Sequence, residues 1–406
     1  MPVLNRIAAF HADMTAWRRD FHRHPELGLR ETRTSAVVQG LLAEFGVDQV
    51  ITGLARTGVV GVIHGRGPNS GPGGPAIGLR ADMDALPIEE ASGRDWASVT
   101  PGVMHACGHD GHTTMLLGAA RYLAETRNFD GTVYLIFQPA EEGVGGAELM
   151  VREGLFERCP MRMVFGMHNW PTLPAGTFAC RAGAMMAAVA DIGITVTGRG
   201  AHGAHPDHGI DPVVVAAQIV TALQSIVART LDPAESGVVT IGHINGGQGF
   251  NVIPDSVFMR GTARWFRPEV GDAIEAGVRR LATGIAGSFG ASAEVSFRRI
   301  VPATVNDAAA TELAMDAARA VAGAGAVRES ERPTMGGEDF AFMLNAKQGN
   351  YIFLGAGRGP NDPMVHNPAY DFNDEILPVG ASYWAALAER LLGRGAAPLA
   401  NGAGSG

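Results

Sequence analysis

The segment His105-Ala-Cys-Gly-His-Asp-Gly-His112 packs three histidines, a cysteine and an aspartate into eight residues. Imidazole and thiolate are ligands for zinc-like ions, and a loop lets residues two apart converge on one point. The plain alternative is a polar helix entrance capped by Asp110, but the density of soft donors favours metal. Not all four His and Cys side chains can be ligands. His112 falls inside the helix expected next and suits support of a ligand or packing. The role of His105 stays open.

A second signal is Gln138-Pro-Ala-Glu-Glu142, directly after the apolar run Thr132–Phe137. Successive side chains in extended backbone point different ways. One glutamate can therefore bind metal while its neighbour moves a proton on the attacking water. Alone, a Glu pair is more often solvated surface. His168, in Gly166-Met-His168-Asn-Trp, also follows a strand-like run, and His366 opens His366-Asn-Pro ahead of Asp371 and Asp374. A lone histidine is weak evidence. Position strengthens the set, because Glu141, Glu142 and His168 fall at the C-terminal ends of expected strands, where open α/β sheets gather ligands. Cys107, His109, Glu142, His168 and His366 supply one thiolate, one carboxylate and three imidazoles. With Cys107 bridging, that suffices for two divalent metal ions with an open side for substrate.

Supporting groups surround this set. Asp82 and Asp84, in Leu79-Arg-Ala-Asp-Met-Asp-Ala-Leu-Pro87, end another strand and either orient ligands or bind metal. Orientation is favoured, since a metal-bound His needs an acceptor for its second nitrogen. Gly336-Gly-Glu-Asp339 is a tight acidic turn of the same kind. In the glycine-framed Gly198-Arg-Gly-Ala-His202-Gly-Ala-His205-Pro, His202 can donate to a developing oxyanion. Asn251 and Arg264 can hold a substrate carbonyl or carboxylate, arginine being suited to the bidentate case. Loop and sheet structure is the plain alternative for these three.

The elements that must position these residues are readable. Helical spacing predicts a helix over Asn5–Phe21 and another over Glu31–Phe45, ended by Gly46. Strands are expected at Gly58–His64, Ala76–Ala81, Thr132–Phe137 and Met161–Met167, with a helix near Gly111–Thr126. This alternation predicts an α/β fold with a mixed sheet covered by helices. After Gly183 the style changes. Ala188–Thr197, Pro212–Ala228, Val238–His243, Ser256–Arg264, Pro268–Phe289 and Ser292–Phe297 read in the ferredoxin-like order β-α-β-β-α-β. The α/β style then returns, with a strand at Asn350–Gly355 and a closing helix at Pro378–Leu392. The expected organisation is a discontinuous catalytic domain, 1–184 and 299–394, with an inserted α+β lid domain, 185–298. A Gly/Ala-rich tail at 395–406 is expected to be disordered.

Composition narrows the partners. A formal net charge of -9 argues against nucleic acid and anionic membrane surfaces. No apolar run stands out at the roughly 18–20 residues needed to span a bilayer, and the N-terminus lacks a signal-peptide core. A cytoplasmic location is the default expectation. Three cysteines do not make a disulfide framework, and Cys159 and Cys180 read as plain buried thiols.

The chain resembles the di-metal aminoacylase/carboxypeptidase-type amidohydrolases, in the group of hippurate hydrolase and auxin-conjugate (IAA-amino acid) hydrolases. The markers are Phe21-His-Arg-His-Pro-Glu-Leu-Gly28, Ala81-Asp-Met-Asp-Ala-Leu-Pro87, His105-Ala-Cys-Gly-His109, Gln138-Pro-Ala-Glu-Glu142, Gly166-Met-His168, Asn251-Val-Ile-Pro-Asp255 and Met335-Gly-Gly-Glu-Asp-Phe340. The resemblance implies a catalytic domain interrupted by a lid, and metal ligands at Cys107, His109, Glu142, His168 and His366. It implies Glu141 as general base, Asp84 as the aspartate that orients the metals, and His202 as oxyanion donor, in some relatives across a lid-to-lid dimer. The implied cofactors are two divalent ions, Mn²⁺ or Zn²⁺, with Ni²⁺ or Co²⁺ also suited. The implied substrate is an N-acyl amino acid, and the implied assembly a homodimer or homotetramer. Rival expectations are a dipeptidase or N-acetyl-diaminopimelate deacetylase with the same chemistry, and more distantly a non-catalytic binding protein. Trp265 departs from the family pattern, which has a smaller residue beside Arg264, and bears on pocket shape.

Overall fold

The computed structural model describes residues 4–329 and 331–393, so the tail at 395–406 lies outside the described residues. The chain forms two compact units. One combines the residues up to Met185 with Val305–Arg332 and those from Asp339 onward. The other combines Met186–Thr304 with Pro333–Glu338.

The first unit is built on an eight-stranded mixed sheet. Its order is Gln49–Leu54, Gly58–His64, Thr132–Gln138, Ala76–Asp82, Met163–Pro174, Gln348–Gly357, Phe178–Ala179 and Val327–Arg328. The strands Thr132–Gln138, Ala76–Asp82, Met163–Pro174 and Gln348–Gly357 are mutually parallel. Every position of Ala76–Asp82 and Thr132–Gln138 is buried, so both sheet faces are covered, and their unbroken apolar runs follow from that. The helix His109–Thr126 is buried almost throughout and packs against His11–Arg23 and Leu377–Leu391. The edge strand Gln49–Leu54 was not legible in the sequence. It pairs on one side only and buries just Ile51 and Leu54, which leaves little pattern to read. Met163–Pro174 also runs past its expected end at Met167, so His168 lies within the strand. Its pairing with Ala76–Asp82 stops at Gly166, whereas the ladder with Gln348–Gly357 continues through His168↔Phe353. His168 therefore emerges where the pairing on one side has stopped.

The second unit has a four-stranded antiparallel-paired sheet in the order Gly237–Asn245, Ser256–Trp265, Ala188–Thr197, Ser292–Val301. With the helices Pro212–Ser225 and Pro268–Ser288 the chain order is β-α-β-β-α-β. Ile192, Ile194 and Val196 alternate with half-exposed residues, so one sheet face is packed and the other open. Ser292–Val301 pairs along Val189–Thr197, up to Val301↔Val189, which carries this unit beyond the expected end at 298. By length and apolarity Pro212–Thr230 is a candidate span, 19 residues at mean hydropathy 1.5, contrary to the expectation that no such stretch exists. Its buried residues, Val215, Ala216, Ile219, Leu223 and Ile226, lie in the core of this unit, so it serves as a covering helix.

Candidate metal centre

The candidate ligands and the aspartates beside them lie on loops, on strands and at a helix start of the first unit. Asp82 ends the strand Ala76–Asp82, with Asp84 two residues beyond. Glu141 and Glu142 follow Thr132–Gln138, and Cys107 precedes the helix that starts at His109. Ala140 adopts a left-handed φ of 56°, held by its N–H on buried Glu31 at 2.8 Å, and this fixes the backbone entering the Glu pair. His366 is likewise left-handed, φ 66°, and its N–H donates to Ala106 O at 2.7 Å. Non-glycine residues held in this region concentrate at functional sites.

The structure brings Cys107, His109, Glu142, His168 and His366 together. Donor atoms of Cys107, His109 and His168 lie within 4.8 Å of one another, and so do those of Cys107, Glu142 and His366. The two trios share Cys107. Cys107 Sγ is 3.3 Å from His168 Nε2, and His366 Nε2 is 3.0 Å from Glu142 Oε1. Glu141 groups within the same distance of His109 and Glu142.

Orientation is supplied by surrounding groups. His109 Nδ1 is 3.2 Å from Asp84 Oδ1, while Asp84 Oδ2 accepts the Glu142 N–H at 2.9 Å. Asp84 thus ties two candidate ligands together. His168 Nδ1–H donates to Asn169 O at 2.6 Å, leaving its Nε2 lone pair towards Cys107. Asp82 does not stand alone either. Arg80 Nη1 donates to its Oδ2 at 2.8 Å, and His112 Nδ1 reaches Oδ1 at 2.6 Å. Asp339 anchors the end of the neighbouring strand, accepting from Gln138 Nε2 at 2.8 Å and Ala147 N–H at 2.9 Å. Sequence reasoning missed Arg80, Gln138 and Asn169, although each adjoins or lies within a motif that it singled out.

The electrostatics favour a cation. Burial would lower the His109 pKa, but Asp82, Asp84 and Glu142 outweigh it and push it up to about 10. Burial, then Glu142, Glu141 and Asp82, hold the Cys107 thiol well above its ordinary range. Buried carboxylates crowded this way need a positive partner. His109 Nε2 is buried without a hydrogen-bond partner. An orphaned imidazole nitrogen facing carboxylates and a thiol fits a divalent ion in place of the imidazolium proton.

In the second unit, Val252 pairs with His202, and Gly203 N–H donates to Asn251 O at 2.7 Å, so His202 and Asn251 share one ribbon. His202 Nδ1 accepts the Ala204 N–H at 3.0 Å, which leaves the proton on Nε2. Arg264 is half-buried, and burial lowers its pKa. Among the described residues no carboxylate pairs with it. Trp265 alternates to the opposite face, 4% exposed, stacked on Phe297 and against Gly271. It is a core residue, and its departure from the family pattern does not bear on a pocket.

The sequence model of Peptidase family M20/M25/M40 matches residues 78–390. Hippurate hydrolase of Campylobacter jejuni is 40% identical over 392 residues, covering 97% of this chain and 100% of the relative. An IAA-amino acid hydrolase of Arabidopsis thaliana is 40% identical over 386 residues, 93% of this chain and 86% of the relative. Among solved structures, a Bacillus subtilis dinuclear metal binding peptidase from the M20 family superposes with a TM-score of 0.81 at 35% identity, covering 95% of this chain and 99% of that one. The chain belongs to Peptidase family M20/M25/M40.

Proposed function

We propose that this chain, a metal-dependent amidohydrolase, cleaves N-acyl amino acids to a carboxylic acid and a free amino acid at a two-metal centre. The observation that carries this reading is the pair of donor trios sharing Cys107. Cys107, His109, Glu142, His168 and His366 would hold the ions, with Asp84 orienting the set. Mn²⁺ and Zn²⁺ suit these ligands, and Ni²⁺ or Co²⁺ also. Divalent ions at such a site supply Lewis acidity to the scissile amide carbonyl and to the attacking water.

Glu141 takes a proton from that water as its oxygen bonds to the amide carbon. The same carboxyl then returns the proton to the leaving nitrogen as the C–N bond breaks. His202, with its proton on Nε2, suits donation to the oxyanion. Arg264, without an acidic partner among the described residues, suits the substrate carboxylate, and Asn251 a polar group beside His202. The hippurate and IAA-amino acid hydrolases that the chain resembles favour an N-acyl amino acid over a dipeptide or an N-acetylated diaminopimelate.

The second unit is proposed to act as a lid and as the contact between subunits of a homodimer or homotetramer. Three unpaired cysteines suit a reducing compartment, in line with a cytoplasmic placement.

The test is Glu141→Gln assayed with metals bound. Loss of the acid–base group should lower kcat by about 10²–10⁴-fold. Near-normal turnover with both ions present would overturn the mechanism.

A further inference from the structure

The first unit contains a hydrogen-bonded chain to which the proposed reaction gives no task. Arg80 and Asp82 begin it, both fully buried. From Asp82 it passes to His112 Nδ1 at 2.6 Å. His112 Nε2 accepts the backbone N–H of Asn169 at 3.0 Å and touches the side-chain amide of the same residue at 2.5 Å. The far end of that amide meets the Tyr370 hydroxyl at 2.8 Å. A half-turn of the amide exchanges its donor and acceptor ends, so it can serve both neighbours. Asn169 and Tyr370 are both buried, at 0% and 2% exposure.

Two features connect this chain to the metal centre. The backbone carbonyl of Asn169 accepts the Nδ1–H of His168 at 2.6 Å. It can aim that ring only if its residue is held in place, and His112 holds that residue by accepting its N–H. Independently, Gly108 lies at φ 92°, and a β-carbon there would sit 2.4 Å from Asn169 Oδ1 and 2.7 Å from the Tyr370 hydroxyl oxygen. The loop carrying Cys107 and His109 therefore rests directly on the same amide–hydroxyl pair. One contact sets an imidazole, and the other seats the thiol and the second imidazole.

We propose that Asn169 and Tyr370 are positioning residues, a clamp that fixes the His168 ring and the Cys107–His109 loop for metal binding. The proposal rests on the two-metal reading of the centre. Removing the Tyr370 hydroxyl leaves one end of a buried amide unpaired and frees the loop above it. Groups that hold metal ligands in place typically account for 10–100-fold in metal affinity.

The experiment compares the full-length wild type with Tyr370→Phe and Asn169→Leu. Co²⁺ is titrated into each metal-free protein against a competing chelator, visible spectra are recorded, and metal-free unfolding is followed separately. Tyr370→Phe is the milder change, and it decides if Asn169→Leu does not fold. The wild type should bind two equivalents. The variants should bind at least one ion about 10–100-fold more weakly, with altered Co²⁺ bands, while the metal-free melting point of Tyr370→Phe stays near that of the wild type. Variants that bind two equivalents with wild-type affinity and spectrum overturn the clamp alone. So does an affinity loss that vanishes at temperatures where both metal-free proteins are fully folded. A wild type that holds fewer than two equivalents overturns the two-metal reading itself.

Discussion

His22 should make the stability of the metal-free protein fall as pH rises. Its ring is fully buried, with Nδ1 2.8 Å from Asp110 Oδ2 and Nε2 3.1 Å from Glu90 Oε1. Burial alone would lower its pKa, but hydrogen bonds to Asp110 and Glu90 outweigh this and push it up to about 9, from 6.5. The folded chain thus holds this proton more tightly than the unfolded chain. The resulting stabilisation is fully present below about pH 6.5 and is lost as pH rises through about 9. The difference, 9 − 6.5 = 2.5, at 1.36 kcal/mol per unit, is about 3 kcal/mol. The assay is urea unfolding of metal-stripped protein from about pH 6 to about 10, for the wild type and His22→Gln. Across that window the wild type should lose about 3 kcal/mol more than the variant. His109, at about 10, titrates over an overlapping range in both proteins and cancels in the difference. Equal pH slopes in the two proteins would refute the assignment of this effect to His22.

Two further outcomes follow from the centre and the second unit. Chelation should abolish turnover and lower the melting temperature, and divalent metal should restore both; at a free ion concentration 100-fold above Kd, the stabilisation is about 2.7 kcal/mol per site. A chelator-treated protein with unchanged melting and activity would count against a metal centre. Arg264→Gln should lower kcat/KM for N-acyl amino acids by about 10–100-fold, the worth of a charged hydrogen bond, with melting unchanged because no ion pair is broken. The same loss on a substrate whose carboxylate is amidated would show that Arg264 does not read that group.

The sequence by itself named most of the residues that the fold gathers at the centre. His105 to His112, the Glu141–Glu142 pair and His168 carry donor types in dense or strand-end positions, and the separate motifs tie them to one family. Unbroken apolar runs such as Thr132–Phe137 also fixed the strands, because a strand covered on both faces needs no alternation. Other features were decided only by the tertiary structure. His366 lies 224 residues from Glu142 (366 − 142), and only folding brings its Nε2 to 3.0 Å from that carboxylate. Asn169 and Tyr370 carry no signal as single residues, since an amide and a phenol are ordinary side chains until they meet beneath a glycine. Trp265 looked like a pocket wall beside Arg264, but strand alternation turns it into the core. Residue type and local spacing set what each group can do, whereas distance and burial set what it does. Those two quantities arise from contacts between segments far apart in the chain.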